Sequence, residues 1–383
     1  MHETIRLAGL VQERIGDVLA DHRQQLEALG PDAIPLLDEA ADYLAGGKRL
    51  RAQFCVLGAR SVGRVDFDDA DESETDGVAP GAASPALGPD ADRILDAACA
   101  LELFHAAALI HDDVIDRSDT RRGRPSAHRH FAGLHEDADY RGDADHFGLA
   151  GAILLGDLLQ SWSDELMQRA CDATGDRAAA RAAREHFNRM RSEVAVGQYL
   201  DVLEEQRPAA APEAEQLERS TRVLVYKSAK YSVEAPLLIG AALFGADEEQ
   251  EQSLAEFGLP VGVAFQLRDD VLGVFGDAEV TGKPAGDDLA EGKRTVLVTL
   301  AREALPNTQR RVFDDMFGDP ELDDEQVEML QRTIRDSGAL DRVEEMITRN
   351  LDRATQSLAA APINAEAKAR LGSLADRSGR RAF

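Results

Sequence analysis

Three aspartates close an apolar stretch in the first half of the chain, within LELFHAAALIHDDVIDRSDTRRGRP. Asp112 and Asp116 are four residues apart, so on a helix both side chains project on one side. Two carboxylates at that spacing repel each other unless a cation lies between them. Magnesium held by carboxylates and by substrate phosphate oxygens is the usual arrangement. The spacing therefore indicates a metal site, with a solvated acidic helix end as the alternative for this cluster alone.

Two arginines, Arg121 and Arg122, follow the first aspartates. Arginine makes forked, charge-assisted hydrogen bonds to phosphate oxygens. Carboxylates for a metal beside paired arginines for phosphate predict a diphosphate site. The alternative is that both arginines only neutralise nearby aspartates.

A second acidic cluster ends another apolar stretch, FQLRDDVLGVFGD, with Asp269 and Asp270. The segment TGKPAGDDLAEGKRT follows it and supplies Lys283, Asp287, Asp288 and Lys293. If the two acidic helix ends face each other in a helical bundle, they would hold several Mg²⁺ ions between them.

Lysine is rare in this chain and concentrated near these motifs. Only six of the 43 basic residues are lysines: Lys48, Lys227, Lys230, Lys283, Lys293 and Lys368. Lys48 follows a Gly-Gly pair in GGKRLR, and Lys227 lies in YKSAK. A random scatter would place most lysines on solvated faces, and we interpret only Lys368 in that way.

The ordered set of motifs resembles the all-trans isoprenyl diphosphate synthases of the polyprenyl synthetase family. The matching segments cover most of the chain in order: GGKRLR, ELFHAAALIHDDVIDRSDTRRGRPSAH, GDLL, GQYLD, YKSAK, FQLRDDVLG, GKPAGDDL and EGKRT. The resemblance implies an all-α fold, a single large helical bundle of the isoprenoid synthase type with a deep central cavity. It also implies a homodimer and a Mg²⁺-dependent, head-to-tail condensation of isopentenyl diphosphate with an allylic diphosphate.

The resemblance also implies roles for individual residues. Isopentenyl diphosphate binding falls to Lys48, Arg51, His105 and Arg122. Allylic diphosphate binding falls to Arg121, Lys227, Ser228, Gln266, Lys283 and Lys293. Three Mg²⁺ ions are expected, on Asp112, Asp116, Asp269 and Asp287. The reacting end is expected to face Lys227, Ser228, Gln198 and Asp201.

Two positions depart from the family pattern. The second aspartate motif usually ends in aspartate, where this chain has Gly273. We expect Asp287 to complete the metal shell in its place. Ser228 stands where threonine is common and retains the hydroxyl.

Product length is expected to depend on the helix before Asp112. Ala107 and Ala108 lie one turn before that aspartate, and Phe104 lies a turn deeper. Small residues followed by a bulky one favour a C20 product, geranylgeranyl diphosphate, with C25 or longer as the alternative.

The elements that position these residues are predicted to be helices in one domain, 1–383, because apolar residues recur at spacings of three and four. Helices are predicted at 3–28, 32–46, 49–62, 91–115, 147–172, 175–204, 213–230, 232–245, 248–275, 293–303, 324–337 and 340–360. No sheet is predicted. Residues 64–92 are interpreted as a flexible acidic insertion, and 118–147 as a long loop.

Composition excludes several classes of protein. The formal net charge is −28, which disfavours binding to nucleic acid or to anionic membranes. The sequence shows neither a run long enough to span a bilayer nor a secretion signal, and its three cysteines fit reduced thiols. We therefore expect a cytoplasmic protein. Strong acidity with few lysines favours a salt-accumulating halophile, with base-composition bias as the alternative.

Two rival functions use part of the same pattern. A class I terpene cyclase also has an aspartate-rich helix end, but it needs no second diphosphate site, and Lys48, Arg51 and Arg122 argue against it. A non-catalytic partner subunit typically lacks one aspartate cluster or the basic residues, and this chain retains nearly all of them.

Overall fold

The computed structural model describes residues 2–63, 65, 67, 88–207, 215–276 and 286–379. Within these ranges the chain is helical almost throughout, which confirms the all-α prediction. Most of the predicted insertion lies outside the described residues, and its last residues already belong to a helix that begins at Pro89.

The first half of the chain contains seven helices and a two-stranded hairpin among the described residues. Their bounds are α1 (His2–Leu29), α2 (Ile34–Tyr43, after a 3₁₀ turn at Pro31–Ala33), α3 (Leu50–Val62), α4 (Pro89–Ile115), β1 (Thr120–Arg121), β2 (Arg124–Pro125), α5 (Ala127–Asp137), α6 (Ala144–Asp172) and α7 (Arg177–Glu205).

The second half is also helical over its described residues. The bounds are α8 (Gln216–Val223), a π-helix (Leu224–Glu234), α9 (Ala235–Leu243), α10 (Glu248–Phe275), α11 (Asp287–Ala290), α12 (Val296–Ala304), α13 (Asn307–Met316), α14 (Asp324–Asp336), α15 (Ala339–Ala360) and α16 (Ala365–Gly379). Asp247 and Asp323 begin α10 and α14 as capping boxes, which satisfy the first free backbone N–H groups.

The predicted loop at 118–147 was wrong in part. It contains the antiparallel pair β1–β2, whose turn has Arg122 and Gly123 at φ 53° and 75°. It also contains α5, which buries Ala127 and Phe131 under an otherwise polar surface. Helices α13 and α16 were not predicted either. Helix α13 has a single buried residue, Phe313, so its sequence carries little apolar periodicity.

Helices α8 and α9 form one continuous helical run through the π-helix, with no break near residue 231. A π-helix has wider turns than an α-helix, and such segments are frequent at functional sites. Lys227 and Ser228 both lie in this segment. The π-helix therefore carries the YKSAK motif.

Two glycines allow α7 and α10 to approach the π-helix closely. A Cβ on Gly197 of α7 would lie 2.4 Å from the backbone nitrogen of Lys227. A Cβ on Gly262 of α10 would lie 2.3 Å from the carbonyl oxygen of Ala229. Only glycine fits at these two contacts, which fix the π-helix between its neighbours.

Helix α4 lies in the core and packs on α3 and α6. By length and composition it passes as a membrane span, the one such helix among the described residues, but 72% of the apolar stretch is buried inside the protein. Its C-terminal end also carries Asp112 and Asp113. We therefore assign α4 as a core helix.

Candidate active site

A cavity of about 630 Å³ opens between α3, α4, α7, the π-helix and α10. Fourteen of the predicted site residues line it: Lys48, Arg51, His105, Ala108, Asp112, Arg121, Gln198, Asp201, Lys227, Ser228, Gln266, Asp269, Asp287 and Lys293. Lys283 lies outside the described residues. Motifs from both halves of the chain therefore meet in one place.

Asp112 lies near the end of α4 beside a lysine of the π-helix. Lys227 Nζ is 3.1 Å from Asp112 Oδ1 and 2.5 Å from Asp201 Oδ2. Burial alone would raise the pKa of Asp112, but the nearby cations, Lys227 first and then Lys293, lower it to about 2. Asp112 is thus held in its ionised form.

Asp116 ends the same helix and is paired with a different lysine. Lys293 Nζ lies 3.1 Å from Asp116 Oδ2 and 2.5 Å from Glu291 Oε2. Burial raises the pKa of Asp116 against the attraction of Lys293, and the charge of Asp112 raises it further. Burial and the repulsion between Asp112 and Asp116 therefore both disfavour the ionised form of Asp116 at this end of α4.

The first aspartate cluster fits a divalent cation. Asp112 Oδ1 and both carboxylate oxygens of Asp116 are buried. Asp112 Oδ1 and Asp116 Oδ2 each have one lysine ammonium at 3.1 Å, and Asp116 Oδ1 has no hydrogen-bond partner among the described residues. Buried oxygens normally have donors. Buried carboxylate oxygens with at most one donor each suit Mg²⁺, which takes oxygen ligands.

Asp113 differs from Asp112 and Asp116 because its carboxylate is hydrogen-bonded to other side chains of the protein. It is completely buried and accepts hydrogen bonds of 2.9 Å from Arg121 Nε and from the Tyr43 hydroxyl. The Tyr43 hydroxyl in turn accepts one from the backbone nitrogen of Ala127. Asp113 thus orients Arg121 at the cavity, and Tyr43 is a supporting residue that the sequence did not indicate.

The second aspartate cluster lies at the end of α10. Gln266 Nε2 donates a 2.8 Å hydrogen bond to Asp270 Oδ1. Burial raises the pKa of Asp270 to about 8, with added repulsion from Asp288 and Asp269. A group of carboxylates whose charges oppose one another in this way suits a bound cation.

The carboxylates of α11 complete this side of the cavity. Asp287, the predicted substitute for the missing aspartate, lines the cavity, and so does Asp288. Of the two, it is Asp288 whose carboxylate lies against Gly273. The structure therefore places Asp288, rather than the predicted Asp287, at the position of the missing aspartate.

A basic pocket occupies another part of the cavity wall. Arg51 Nη2 donates to Ser232 Oγ at 2.9 Å, while Arg51 Nε is buried and has no hydrogen-bond partner among the described residues. Burial lowers the pKa of His105, and the guanidinium groups of Arg51 and Arg122 lower it further. A neutral imidazole beside several cations suits a bound anion.

Arg122 lies in the β1–β2 turn and is not among the residues that line the cavity, although its charge acts on His105. Its Nη1 donates to the carbonyl oxygen of Ala45 at 3.3 Å, and Gly47 lies beside its guanidinium. No carboxylate of the described residues lies within salt-bridge distance of it. Arg122 thus keeps its charge available for an anionic ligand.

The cavity wall near Lys227 also carries uncharged polar groups. Gln198 Nε2 is buried and has no partner within the described part of the chain. Ser228 lines the cavity from the π-helix, one residue beyond Lys227. An amide and a hydroxyl therefore lie beside a lysine, as the motifs predicted.

The cavity wall differs from the chain-length prediction at two positions, because neither Ala107 nor Phe104 is among the residues that line it. Ala108 lines it together with Leu109 and Val194, whereas Ala107 is completely buried in the core. One residue is a rotation of about 100° around a helix, so the two alanines face different neighbours. Phe104 is 5% exposed.

Phe104 packs against two other aromatic rings. Its ring meets Tyr231 edge-on at 5.9 Å and Phe187 at 6.4 Å. Tyr231 itself lines the cavity. Neither Tyr231 nor Phe187 was indicated by the sequence, because aromatic residues on buried helix faces are common.

Comparison with known proteins identifies the family of the chain. Residues 34–334 match the Polyprenyl synthetase family. The geranylgeranyl diphosphate synthase of Methanosarcina mazei is 31% identical over 351 residues, or 89% of this chain and 90% of that protein. The geranylfarnesyl diphosphate synthase of Natronomonas pharaonis is 31% identical over 373 residues, or 95% of this chain and 97% of that protein.

Solved structures give the same result. A crystal structure of geranylgeranyl pyrophosphate synthase from Corynebacterium glutamicum, complexed with isoprenyl diphosphate and magnesium, has a TM-score of 0.85 and 32% identity, covering 98% of this chain and 99% of that one. The shared fold extends over nearly the whole of both chains. The chain belongs to the polyprenyl synthetase family and is a trans-prenyltransferase.

Proposed function

We propose that this enzyme condenses isopentenyl diphosphate head-to-tail with an allylic diphosphate to form an all-trans prenyl diphosphate. The observation that supports this most directly is that His105 and Asp112 line one cavity. Seven residues separate them on α4, so they share a face about 10 Å apart. A basic pocket at one level and paired carboxylates at the other fit two diphosphates, of which one is bound with metal.

We propose that Mg²⁺ binds to Asp112, Asp116 and Asp269, with a further carboxylate from α11, as three ions per site. The buried Asp116 Oδ1, which has no hydrogen-bond partner among the described residues, supports this set. The raised pKa of Asp270, to which the charge of Asp269 contributes, also supports it. When bound, Mg²⁺ neutralises charge on the diphosphate leaving group.

The cations of the chain act on the allylic diphosphate. Arg121, Lys227 and Lys293 bind its oxygens and stabilise the negative charge that grows as the C1–O bond breaks. The Ser228 hydroxyl and the Gln198 amide face the allylic cation that remains. The reaction requires that water be kept from this cation, because water would otherwise add to it.

The basic pocket orients the second substrate. Lys48, Arg51 and His105 bind isopentenyl diphosphate so that its double bond attacks C1 of the allylic cation. A new carbon–carbon bond forms, and a proton leaves the isopentenyl C2 for the departed diphosphate. The product is an allylic diphosphate that is one five-carbon unit longer.

For the product we propose geranylgeranyl diphosphate, C20, and the alternative is C25 or longer. The two named relatives do not decide between these lengths, because one is named for geranylgeranyl diphosphate and the other for geranylfarnesyl diphosphate. Phe104 lies eight residues before Asp112, about 12 Å along the helix axis. Its contact with Tyr231 supports a floor at that depth.

Product analysis tests the proposed reaction. Purified protein in molar KCl with Mg²⁺ receives labelled isopentenyl diphosphate and dimethylallyl, geranyl or farnesyl diphosphate, and the dephosphorylated products are sized. We expect one C20 alcohol. Asp112→Asn should abolish condensation, whereas Asp119→Asn, an exposed aspartate of the same segment paired with Arg129, should retain it.

Three outcomes would contradict parts of this proposal. A hydrocarbon from the allylic substrate alone would favour a terpene cyclase. Activity that appears only after a second polypeptide is added would favour a partner subunit. A product of C25 or longer would move the floor of the cavity deeper.

We further propose a homodimer formed through α6 and α7. Large apolar side chains on these two packed helices are exposed: Phe147, Ile153, Leu154, Val196 and Tyr199. A second copy of the chain is the occupant that fits, because a patch of this kind on a C2 axis covers itself. Leu154→Glu with Val196→Glu should give a monomer in light scattering. Val312→Glu, on an equally exposed valine of α13, should leave the dimer intact.

We propose a cytoplasmic location and adaptation to high salt. The three cysteines are buried and unpaired, as in a reducing compartment. The net charge of −28 supports salt adaptation.

A further inference from the structure

Tyr231 lies between two residues of the basic pocket. Its hydroxyl is 2.8 Å from His105 Nδ1. The Arg51 guanidinium lies over its ring, 4.1 Å from the centroid. The next residue, Ser232, accepts a hydrogen bond from Arg51 at 2.9 Å. One turn of the π-helix thus contacts both side chains.

The direction of this hydrogen bond depends on the tautomer of the His105 imidazole. Burial raises the pKa of Tyr231, so its hydroxyl keeps the proton. Burial and the nearby guanidinium groups lower the pKa of His105, so the imidazole is neutral. A neutral imidazole has one donor and one acceptor nitrogen. If the hydroxyl donates to Nδ1, the imidazole proton lies on Nε2.

We propose that Tyr231 is a positioning residue for the isopentenyl diphosphate site. Its hydroxyl holds His105 in the tautomer with the proton on Nε2, which leaves an N–H donor for a diphosphate oxygen. Its ring holds the Arg51 guanidinium through a cation–π contact. This assignment rests on the function proposed above, because it names the substrate whose binding Tyr231 supports.

Tyr231 also packs edge-on against Phe104, so a purely structural part is the competing explanation. The variant Tyr231→Phe separates the two, since it keeps the ring and removes only the hydroxyl. We expect the KM for isopentenyl diphosphate to rise about five- to tenfold, the effect of one lost hydrogen bond. The KM for the allylic substrate and kcat should stay within about twofold of wild type, because those values depend on other groups.

Two further variants serve as comparisons, one with a larger expected effect and one as a control. Tyr231→Leu also loses the cation–π contact, so it should raise the same KM further. Tyr140→Phe is the matched control, because Tyr140 is exposed and its ring packs on Phe147 away from the cavity. An unchanged KM for isopentenyl diphosphate in Tyr231→Phe would overturn the proposal. So would equal changes in both KM values and in kcat.

A spectroscopic measurement needs no turnover. Histidine ¹⁵N shifts report which ring nitrogen carries the proton, and the His105 signals are assigned by their loss in His105→Gln. We expect the Nε2–H tautomer in the wild-type protein and a mixture in Tyr231→Phe. The Nδ1–H tautomer in the wild-type protein would refute the assignment. Failure of the wild type to consume isopentenyl diphosphate would instead count against the proposed function.

Discussion

The carboxylate of Asp288 occupies the place of a side chain at Gly273. A Cβ built on Gly273 would lie 2.0 Å from Asp288 Oδ2. Gly273 is the position at which the family usually has the last aspartate of the second motif. Helix α11 therefore brings a carboxylate to that position from outside α10, and it is Asp288, where the sequence favoured Asp287.

We predict that Asp288→Asn weakens catalysis by affecting the second metal site. The change removes the negative charge of the carboxylate that lies against Gly273. Activity should fall on the order of 10- to 100-fold, and half-saturation with Mg²⁺ should shift to higher concentration. A Mg²⁺ titration of initial rates measures both.

Asp287→Asn is the matched control for this prediction, because it removes the same charge one residue away. Its Mg²⁺ dependence should change less. If Asp287→Asn has the larger effect, the original interpretation of Asp287 is right. Gly273→Ala should resemble Asp288→Asn, because its methyl group displaces the same carboxylate.

The contact between α7 and the π-helix predicts a large effect of one methyl group. In Gly197→Ala the Cβ would overlap the backbone of Lys227. The helices must move apart, which should lower the free energy of unfolding by about 1–3 kcal/mol and reduce activity by displacing Lys227. Urea denaturation and initial rates measure the two effects. Gly16→Ala, on an exposed face of α1 with open space around it, should instead stabilise by about 0.5–1 kcal/mol.

Neighbouring alanines of α4 should respond differently to the same substitution. Ala108→Phe places a ring in the cavity, so we expect a shorter product, C15, from a folded enzyme. Ala107→Phe forces a ring into a full core and should cost about 1–3 kcal/mol of stability. Phe104→Leu should lengthen the product. Product sizing and thermal unfolding distinguish these results, and equal effects at both alanines would contradict the assignment of the cavity wall.

Glu39 predicts a stability change with pH. Its side chain is 2% exposed, and burial raises its pKa to about 7, with Asp42 adding to the shift and Arg124 opposing it. His130 Nδ1 is 3.5 Å away. In the unfolded chain the group ionises near its ordinary pKa of about 4.3. Because the folded state binds the proton more tightly, this contribution is fully present below that value and is lost as pH rises through about 7.

Glu39→Gln should therefore remove a destabilising term at high pH. We expect the variant and the wild type to be similar near pH 5, and the variant to be more stable by about 1–3 kcal/mol at pH 8. Urea denaturation at both pH values measures the difference. A gap that is constant with pH would show that Glu39 does not titrate in this range.

The net charge predicts that salt stabilises the fold. Repulsion among exposed acids is screened over about 10 Å at 0.1 M salt and about 3 Å at 1 M. The unfolding temperature should rise steadily when KCl is increased over this range. Amide substitutions at several exposed acids should flatten the dependence, whereas an unfolding temperature independent of KCl would refute the halophilic interpretation.

Local patterns were sufficient for much of the fold. The apolar spacing predicted α3, α4 and α10 within two residues, because each carries many buried residues. The same rule missed α13, which buries a single phenylalanine. It also missed α5, because the polar residues of that helix interrupt the apolar spacing of its buried face. It also placed a break inside the continuous run from α8 to α9, since the pattern does not distinguish π-helical turns from a helix end.

The sequence by itself determined the chemistry, because motifs of aspartate, lysine and arginine state which groups are available. The tertiary structure alone decided how these groups are paired. Asp113 orients Arg121, Asp288 takes the place at Gly273, Tyr231 contacts His105, and Ala108 rather than Ala107 lines the cavity. These relationships join residues on different secondary-structure elements, or depend on the rotation of one helix. They follow from packing between elements, which local spacing does not encode.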